Sequence, residues 1–195
     1  GFEENKPLVL VFGGSQGAES INNSIVKIIK EKKNKDYRII WAAGPYQYKV
    51  VKEELAREKI DIENIDGIKA VPYIYNMEEM INISDLIVAR SGAMTITEIS
   101  NLGKPAILVP LPNVSHDHQL YNAKALEKVG AAKIILDNEI NGKILNKAVE
   151  EIALDKQKMI NMGINALKNS KKGYLLPCNI FELEENVKDI LSIGN

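Results

Sequence analysis

The chain has 195 residues, 45% of them hydrophobic and 26% charged, which are ordinary values for a globular chain with material for one substantial core. Its 25 basic and 26 acidic residues leave a formal net charge of -1, which excludes a global basic field for nucleic acid; the basic runs at 30–35 and 168–172 sit among acids and polar residues and read as solvated faces. One cysteine, Cys178, excludes an internal disulfide and a cysteine-cluster zinc site and fits a reducing compartment.

In chain order, GFEENKP (residues 1–7) lacks the apolar stretch of a signal peptide and reads as a linker. Unbroken apolar runs then predict strands at 8–12, 38–42, 68–71, 86–89, 106–109 and 133–136. Helical periodicity fills the intervals at 18–32, 47–59, 77–83, 95–102 and 119–129. Gly103 and Pro105 mark one helix stop, since glycine suits the left-handed position after a last turn and proline blocks continuation. Strands that are apolar throughout, rather than alternating, are buried on both faces as in a parallel sheet. Strand–helix alternation with short loops makes this a doubly wound α/β domain. Beyond Asn138 the pattern is helical. Residues 179–193 place Ile180, Leu183, Val187, Ile190 and Leu191 on one face of an amphipathic helix that needs an apolar cover. No run reaches the roughly 18 apolar residues of a transmembrane helix.

The first predicted strand runs into Gly13-Gly14-Ser15-Gln16-Gly17 ahead of a helix. In an open α/β sheet, ligands bind beyond the carboxyl ends of the strands. Glycines there allow tight turns and close backbone approach, and the free N–H groups and dipole of the next helix favour an anion. The Ser15 hydroxyl adds a donor. The string also matches G-x-S-x-G, the turn that carries a hydrolase nucleophile. That turn needs a later acid and histidine and normally follows several strands, and the chain has only His116 and His118. A Walker loop is excluded because no lysine follows, and a dinucleotide fingerprint because the second strand ends Trp41-Ala42-Ala43-Gly44 without an acid. A tight turn with no ligand is the bland alternative.

LIVARSGAMTITEIS repeats the layout, with a buried strand, then Arg90-Ser91-Gly92-Ala93, then a helix. Two such helix starts with no basic loop suit a diphosphate held mainly by neutral donors. Thr95 and Glu98 have capping-box spacing, so Glu98 either caps a backbone N–H or bridges the two hydroxyls of a ribose. Arg90 either contacts phosphate or fixes the loop. After the fifth strand come His116, Asp117, His118, Gln119 and Asn122. A metal needs more ligands than this stretch offers. Asp117 as a helix cap is one reading. In the other, Gln119 and Asn122, a turn apart on one face, exchange hydrogen bonds with sugar hydroxyls.

Together, GGSQGA, RSGAMTITEISNLGKPAILVPLP and DHQLYNAKALEKVGAAKII resemble the C-terminal half of the MurG family, N-acetylglucosaminyltransferases that complete the lipid-linked peptidoglycan precursor. The likeness runs from about residue 8 to residue 155, with weaker signals to the end. It implies one half of a GT-B glycosyltransferase: a Rossmann-like, doubly wound, six-stranded parallel sheet with helices on both faces at 8–178, and a helix at 179–195 that packs on an N-terminal domain. The implied function is to hold UDP-N-acetylglucosamine (UDP-GlcNAc) for an inverting transfer of GlcNAc to lipid I, giving lipid II.

By the same resemblance, Ser15 and the glycines around it, Gly14 and Gly17, contact the diphosphate, and Gln16 supports the loop or contacts the sugar. The helix start at Gly92, Ala93, Met94 and Thr95 helps, with Arg90 and Ser91 in the loop before it. Glu98 binds the ribose, and the backbone of Ile74 in VPYIYNM reads the uracil edge. Gln119 binds GlcNAc hydroxyls, with Asn122 nearby. No cofactor and no metal are expected, since no D-x-D motif occurs. The family places the general base, the acceptor loops and a membrane-facing patch in an N-terminal domain that this sequence lacks. The expectation is therefore a donor domain, inert alone, of an enzyme peripheral on the cytoplasmic face of the membrane. The alternatives are a transferase moving another UDP-sugar to a lipid acceptor, and a serine hydrolase using Ser15.

Overall fold

The computed structural model describes residues 5–112 and 118–170. The apolar runs form β1 (Leu8–Phe12), β2 (Arg38–Ala42), β3 (Ile68–Val71), β4 (Leu86–Ala89), β5 (Ala106–Leu108) and β6 (Ala132–Ile134). Between and after them lie α1 (Glu19–Lys30), α2 (Pro45–Arg57), α3 (Met77–Ile83), α4 (Ala93–Asn101), α5 (His118–Lys128), α6 (Gly142–Ala153) and α7 (Lys156–Ser170). The strands make one parallel sheet in the order β3-β2-β1-β4-β5-β6.

Successive side chains of a strand point to opposite faces. Val9, Val11, Ile39, Trp41, Leu86, Val88 and Ile107 therefore form one core with the apolar stripes of α1, α2 and α6. Leu10, Phe12, Ile87, Ala89, Ala106 and Leu108 form the other with α3, α4 and α5. α7 packs against α4 and α6. Both faces are covered, which is why the strand sequences do not alternate.

The element boundaries depart from the sequence expectation in ways with local causes. The first helix stops at Lys30 rather than residue 32, because Lys32 takes φ 50° and the N–H groups of Lys32 and Lys33 return to the carbonyls of Ile29 and Ile28. The second begins at Pro45 rather than residue 47, since proline suits a first helical position where its missing N–H costs nothing. The fourth begins at Ala93, not residue 95, with Gly92 as its N-cap. β5 is one residue shorter than predicted, although the Val109 N–H still donates to Ala89 O. β6 starts one residue earlier and ends two earlier. The predicted 179–193 helix lies outside the described residues.

One buried polar pair ties the sheet to its helical cover. Tyr37, ahead of β2, is 1% exposed and its hydroxyl donates to Oδ1 of Asn146 on α6 at 2.7 Å. Burial pushes the phenol well above its ordinary pKa, so it stays a donor throughout the physiological range. Tyr37→Phe leaves the Asn146 oxygen buried without its donor. The expected loss is about 1–3 kcal/mol in urea unfolding, and an unchanged midpoint would show that the pair carries no stability.

Candidate functional site

The sheet order reverses between β1 and β4, where Phe12 pairs with Ala89 at the carboxyl ends. This is the topological switch point, where the loops after two adjacent strands diverge to opposite faces and leave a crevice. α1 rises on one side of it and α4 on the other. Their N-caps are Ala18 and Gly92, neither with a capping side chain. The first intrahelical amides to be paired are those of Asn22 and Ile96. Among the described residues, the N–H groups of the first turns thus have no partner at either helix start, at the positive ends of two helix dipoles.

The β1–α1 loop is a tight turn closed by the Gly17 N–H on Gly14 O at 3.0 Å, with φ of 87° at Gly14 and 81° at Gly17. Ser15 and Gln16 sit exposed at its tip. The loop after β2 supports it from below, backbone against backbone. A Cβ on Gly17 would stand 2.2 Å from the Ala43 carbonyl oxygen, and one on Gly44 would stand 2.7 Å from Gln16 O. Asn22, 1% exposed on α1, locks this contact. Its amide donates to Ala43 O and its oxygen accepts from the Trp41 indole, both at 2.9 Å. Sequence reading missed Asn22 and Gly44; the position of Asn22 on the helical face of Ile25, Val26 and Ile29 was the available signal.

The second loop is pinned from the α5 side. Ser91 is fully buried and its hydroxyl donates to the Gln119 carbonyl at 2.7 Å. Asn122 Nδ2 donates to Ser91 O at 3.0 Å, and Gln119 Oε1 accepts from Leu111 N at 3.1 Å. Ser91, Gln119 and Asn122 are thus brought together, with these polar groups engaged to one another and to Leu111. Ala93 and Met94 are exposed on the first turn of α4, and Thr95 is half-buried. His118 opens α5 and is exposed; His116 and Asp117 lie outside the described residues.

Two residues carry alternative sequence readings, and the structure shows the surroundings of each. A capping box would need Thr95 as the N-cap, but the cap is Gly92, which places Glu98 six residues into α4. The carboxylate of half-buried Glu98 makes no hydrogen bond or ion pair among the described residues, so the capping alternative falls. Arg90 holds the loop. Its Nη1 donates to Asp137 Oδ1 at 2.5 Å and to the carbonyls of Val109 and Pro110 at 3.1 and 3.3 Å. Its Nη2 reaches Ser20 Oγ at 3.3 Å.

Ile74 lies past β3 with its side chain in the second core, while Tyr73 and Tyr75 stand exposed beside it with rings 5.1 Å apart, edge to face. Its backbone N–H and C=O have no partner among the described residues. The nucleophile-elbow reading loses its geometric support, since such an elbow is strained at its serine. Here the positive φ values belong to Gly14 and Gly17, and Ser15 is not among the residues with one.

A family model described as glycosyltransferase family 28 C-terminal domain matches residues 8–175. The chain is 43% identical over 155 residues to the UDP-N-acetylglucosamine--N-acetylmuramyl-(pentapeptide) pyrophosphoryl-undecaprenol N-acetylglucosamine transferase of Lactobacillus delbrueckii subsp. bulgaricus, which covers 80% of this chain and 41% of that protein. It is 39% identical over 171 residues to the protein of the same name from Thermoanaerobacter sp., covering 88% and 46%. The chain therefore spans less than half the length of these relatives. Among solved structures, MurG of Acinetobacter baumannii superposes with a TM-score of 0.70 at 29% identity, over 85% of this chain and 46% of that one. Glycosyltransferase VinC, in complex with DTDP, superposes at 0.63 over 95% and 41%, and at 16% identity this likeness shows the fold alone.

The contact between the two glycine turns can be tested separately from any ligand. Gly17→Ala combines a left-handed φ with an overlap on the Ala43 carbonyl, and is expected to cost about 2–4 kcal/mol in denaturant unfolding. Gly14→Ala has the same kind of φ and open space around its Cβ, and should cost only about 1–2 kcal/mol. Equal losses would mean that the backbone contact with Ala43 is unimportant.

Proposed function

The chain belongs to the glycosyltransferase family 28 C-terminal domain family, and on that premise we propose that it is the donor half of an N-acetylglucosaminyltransferase, holding UDP-GlcNAc for transfer to lipid I in peptidoglycan synthesis. One observation carries the reading: two helix starts without capping side chains flank one switch point, and the second helix bears a carboxylate that nothing else in the described chain engages. The first turns of α1 and α4 would take the diphosphate, with Ser15 as a hydroxyl donor rather than a nucleophile. Glu98 would accept from both ribose hydroxyls, because a carboxylate offers two oxygens to a vicinal diol. The open N–H and C=O of Ile74 match the alternating donor and acceptor groups of a uracil edge. Gln119 would approach the GlcNAc hydroxyls from the start of α5, and Asn122 would hold the floor beneath it.

Transfer would be an inverting displacement, in which the acceptor hydroxyl attacks the anomeric carbon as UDP departs. Negative charge grows on the leaving diphosphate, and helix N–H groups already aimed there stabilise it without reorganisation. The reading therefore expects donor binding without a divalent metal. The general base and the acceptor site would come from the other part of a GT-B enzyme, working at the cytoplasmic face of the membrane. No helix among the described residues is long and apolar enough to cross it.

Calorimetric titration with UDP, UDP-GlcNAc and TDP-GlcNAc in the presence of a chelator tests this. UDP and UDP-GlcNAc should saturate, and TDP-GlcNAc, which lacks the 2′-hydroxyl, should bind more weakly. Glu98→Gln should weaken UDP about tenfold or more, the worth of a hydrogen bond to a charged group, and should shrink the preference for UDP over its 2′-deoxy analogue. Failure of UDP to bind both this chain and the two-domain enzyme would overturn the reading.

A further inference from the structure

We propose that Ser20, Arg90 and Asp137 form a positioning node that sets the first turn of α1 in register with the first turn of α4, so that both sets of N–H groups converge on one diphosphate. The inference rests on the donor-site reading above. Its basis is the geometry of one buried guanidinium. Arg90 follows the last residue of β4 and its side chain is 11% exposed. It reaches Asp137 beyond β6, the carbonyls of Val109 and Pro110 beyond β5, and Ser20 in the first turn of α1. Ser20 Oγ closes the triangle by donating to the same Asp137 Oδ1 at 2.5 Å. Four chain segments thus meet at one planar group.

The node is needed where it stands. α1 and α4 cover opposite faces of the sheet, and the β1–β4 ladder that relates them ends at Phe12 and Ala89. Above that pair, Arg90 joins the two helix starts directly. A guanidinium suits the task because its donors form a rigid fork, whereas a lysine offers one point charge on a flexible stem. The pairing with Asp137 also neutralises a cation that would be costly to leave alone at 11% exposure. Neither Ser20 nor Asp137 faces the ligand in this scheme. They act through the orientation of the two helix starts, and hydrogen bonds to an anion weaken steeply once their angles are lost.

Ser20→Ala isolates the effect, since it changes no charge and alanine is the better helix former. The melting temperature should stay within about 2 °C. In the free protein, exchange of the Gly17, Asn22 and Ile96 amides, which close the two turns, should quicken about fivefold while the strand amides are unchanged. UDP affinity should fall about tenfold. Ser20→Thr, which restores the hydroxyl, should recover both. Asp137→Asn, which also strips Arg90 of its counter-charge, should quicken the same amides and weaken UDP at least as much and lower the melting temperature besides, and adding Ser20→Ala to it should bring little further loss of affinity, as expected of groups acting through one contact. Unchanged exchange and affinity in Ser20→Ala, or an affinity loss that Ser20→Thr does not recover, would overturn the node. If wild-type protein binds no UDP but exchange responds as stated, the donor reading falls and the node stands as what aligns the two helix starts. If UDP binds and exchange does not respond, the node falls and the donor reading stands.

Discussion

Everything at the candidate site depends on the pairing of β1 with β4. A parallel strand must be reached by a crossover, and crossovers in such sheets are right-handed. The chain therefore leaves β1 toward one face through α1, returns through β2 and β3, and then crosses to the far side of β1 to lay down β4. From there α4 departs toward the other face. The two helices never pack together along their length. Their starts approach each other only above the Phe12–Ala89 pair, so the crevice between them follows from strand order before any ligand-binding side chain is considered.

That geometry explains why the charge at this crevice is arranged as it is. A cation pointed at a diphosphate binds it strongly in the ground state, but it brings its own desolvation cost and needs a counter-charge when the site is empty. Here the guanidinium nearest the crevice is engaged with Asp137, Ser20 and two carbonyls. What the first loop presents at the crevice is backbone, held by glycines at Gly14 and Gly17 and propped by the Ala43–Gly44 turn. Such donors carry only partial charge each, but their orientation is already fixed by the fold, which is the condition for stabilising charge that develops during a reaction. The Trp41–Asn22–Ala43 chain serves the same end. It satisfies two buried polar side chains and holds the supporting turn against the loop it supports.

The fold was legible because the strands of a parallel sheet buried on both faces advertise themselves as unbroken apolar runs. Four of the six strands, β1 to β4, have the predicted bounds, and every predicted helix among the described residues is present. The misses lie where one or two residues of backbone geometry decide. Thr95 and Glu98 have the spacing of a capping box, yet the turn after Ser91 starts the helix at Ala93 and leaves the pair in the helix interior. No local pattern predicts that, because it depends on α5 pinning Ser91 through Gln119 and Asn122. The tie among Ser20, Arg90 and Asp137 was hidden for a similar reason: the last two are 47 residues apart in the chain, and Ser20 is 117 from Asp137. Asn22 was concealed in an amphipathic helix, where a polar residue normally means solvent and here means a buried anchor.

Ile74 shows how a buried side chain can serve recognition by its backbone. Its side chain is held in the second core beside Phe12 and Ala42, which fixes the peptide groups on either side of it. Its neighbours, Tyr73 and Tyr75, are turned outward. On the donor reading, the base would be recognised by one N–H and one C=O whose positions are set by core packing. A substitution at Ile74 would then act through that anchor: a smaller apolar residue loosens the peptide plane without removing either polar group, and weakens discrimination between bases more than it weakens the grip on the phosphates. The division is physical. Phosphate binding draws on the N–H groups of two helix starts, none of which Ile74 positions, whereas reading a base edge needs both hydrogen bonds of this one residue in line at once.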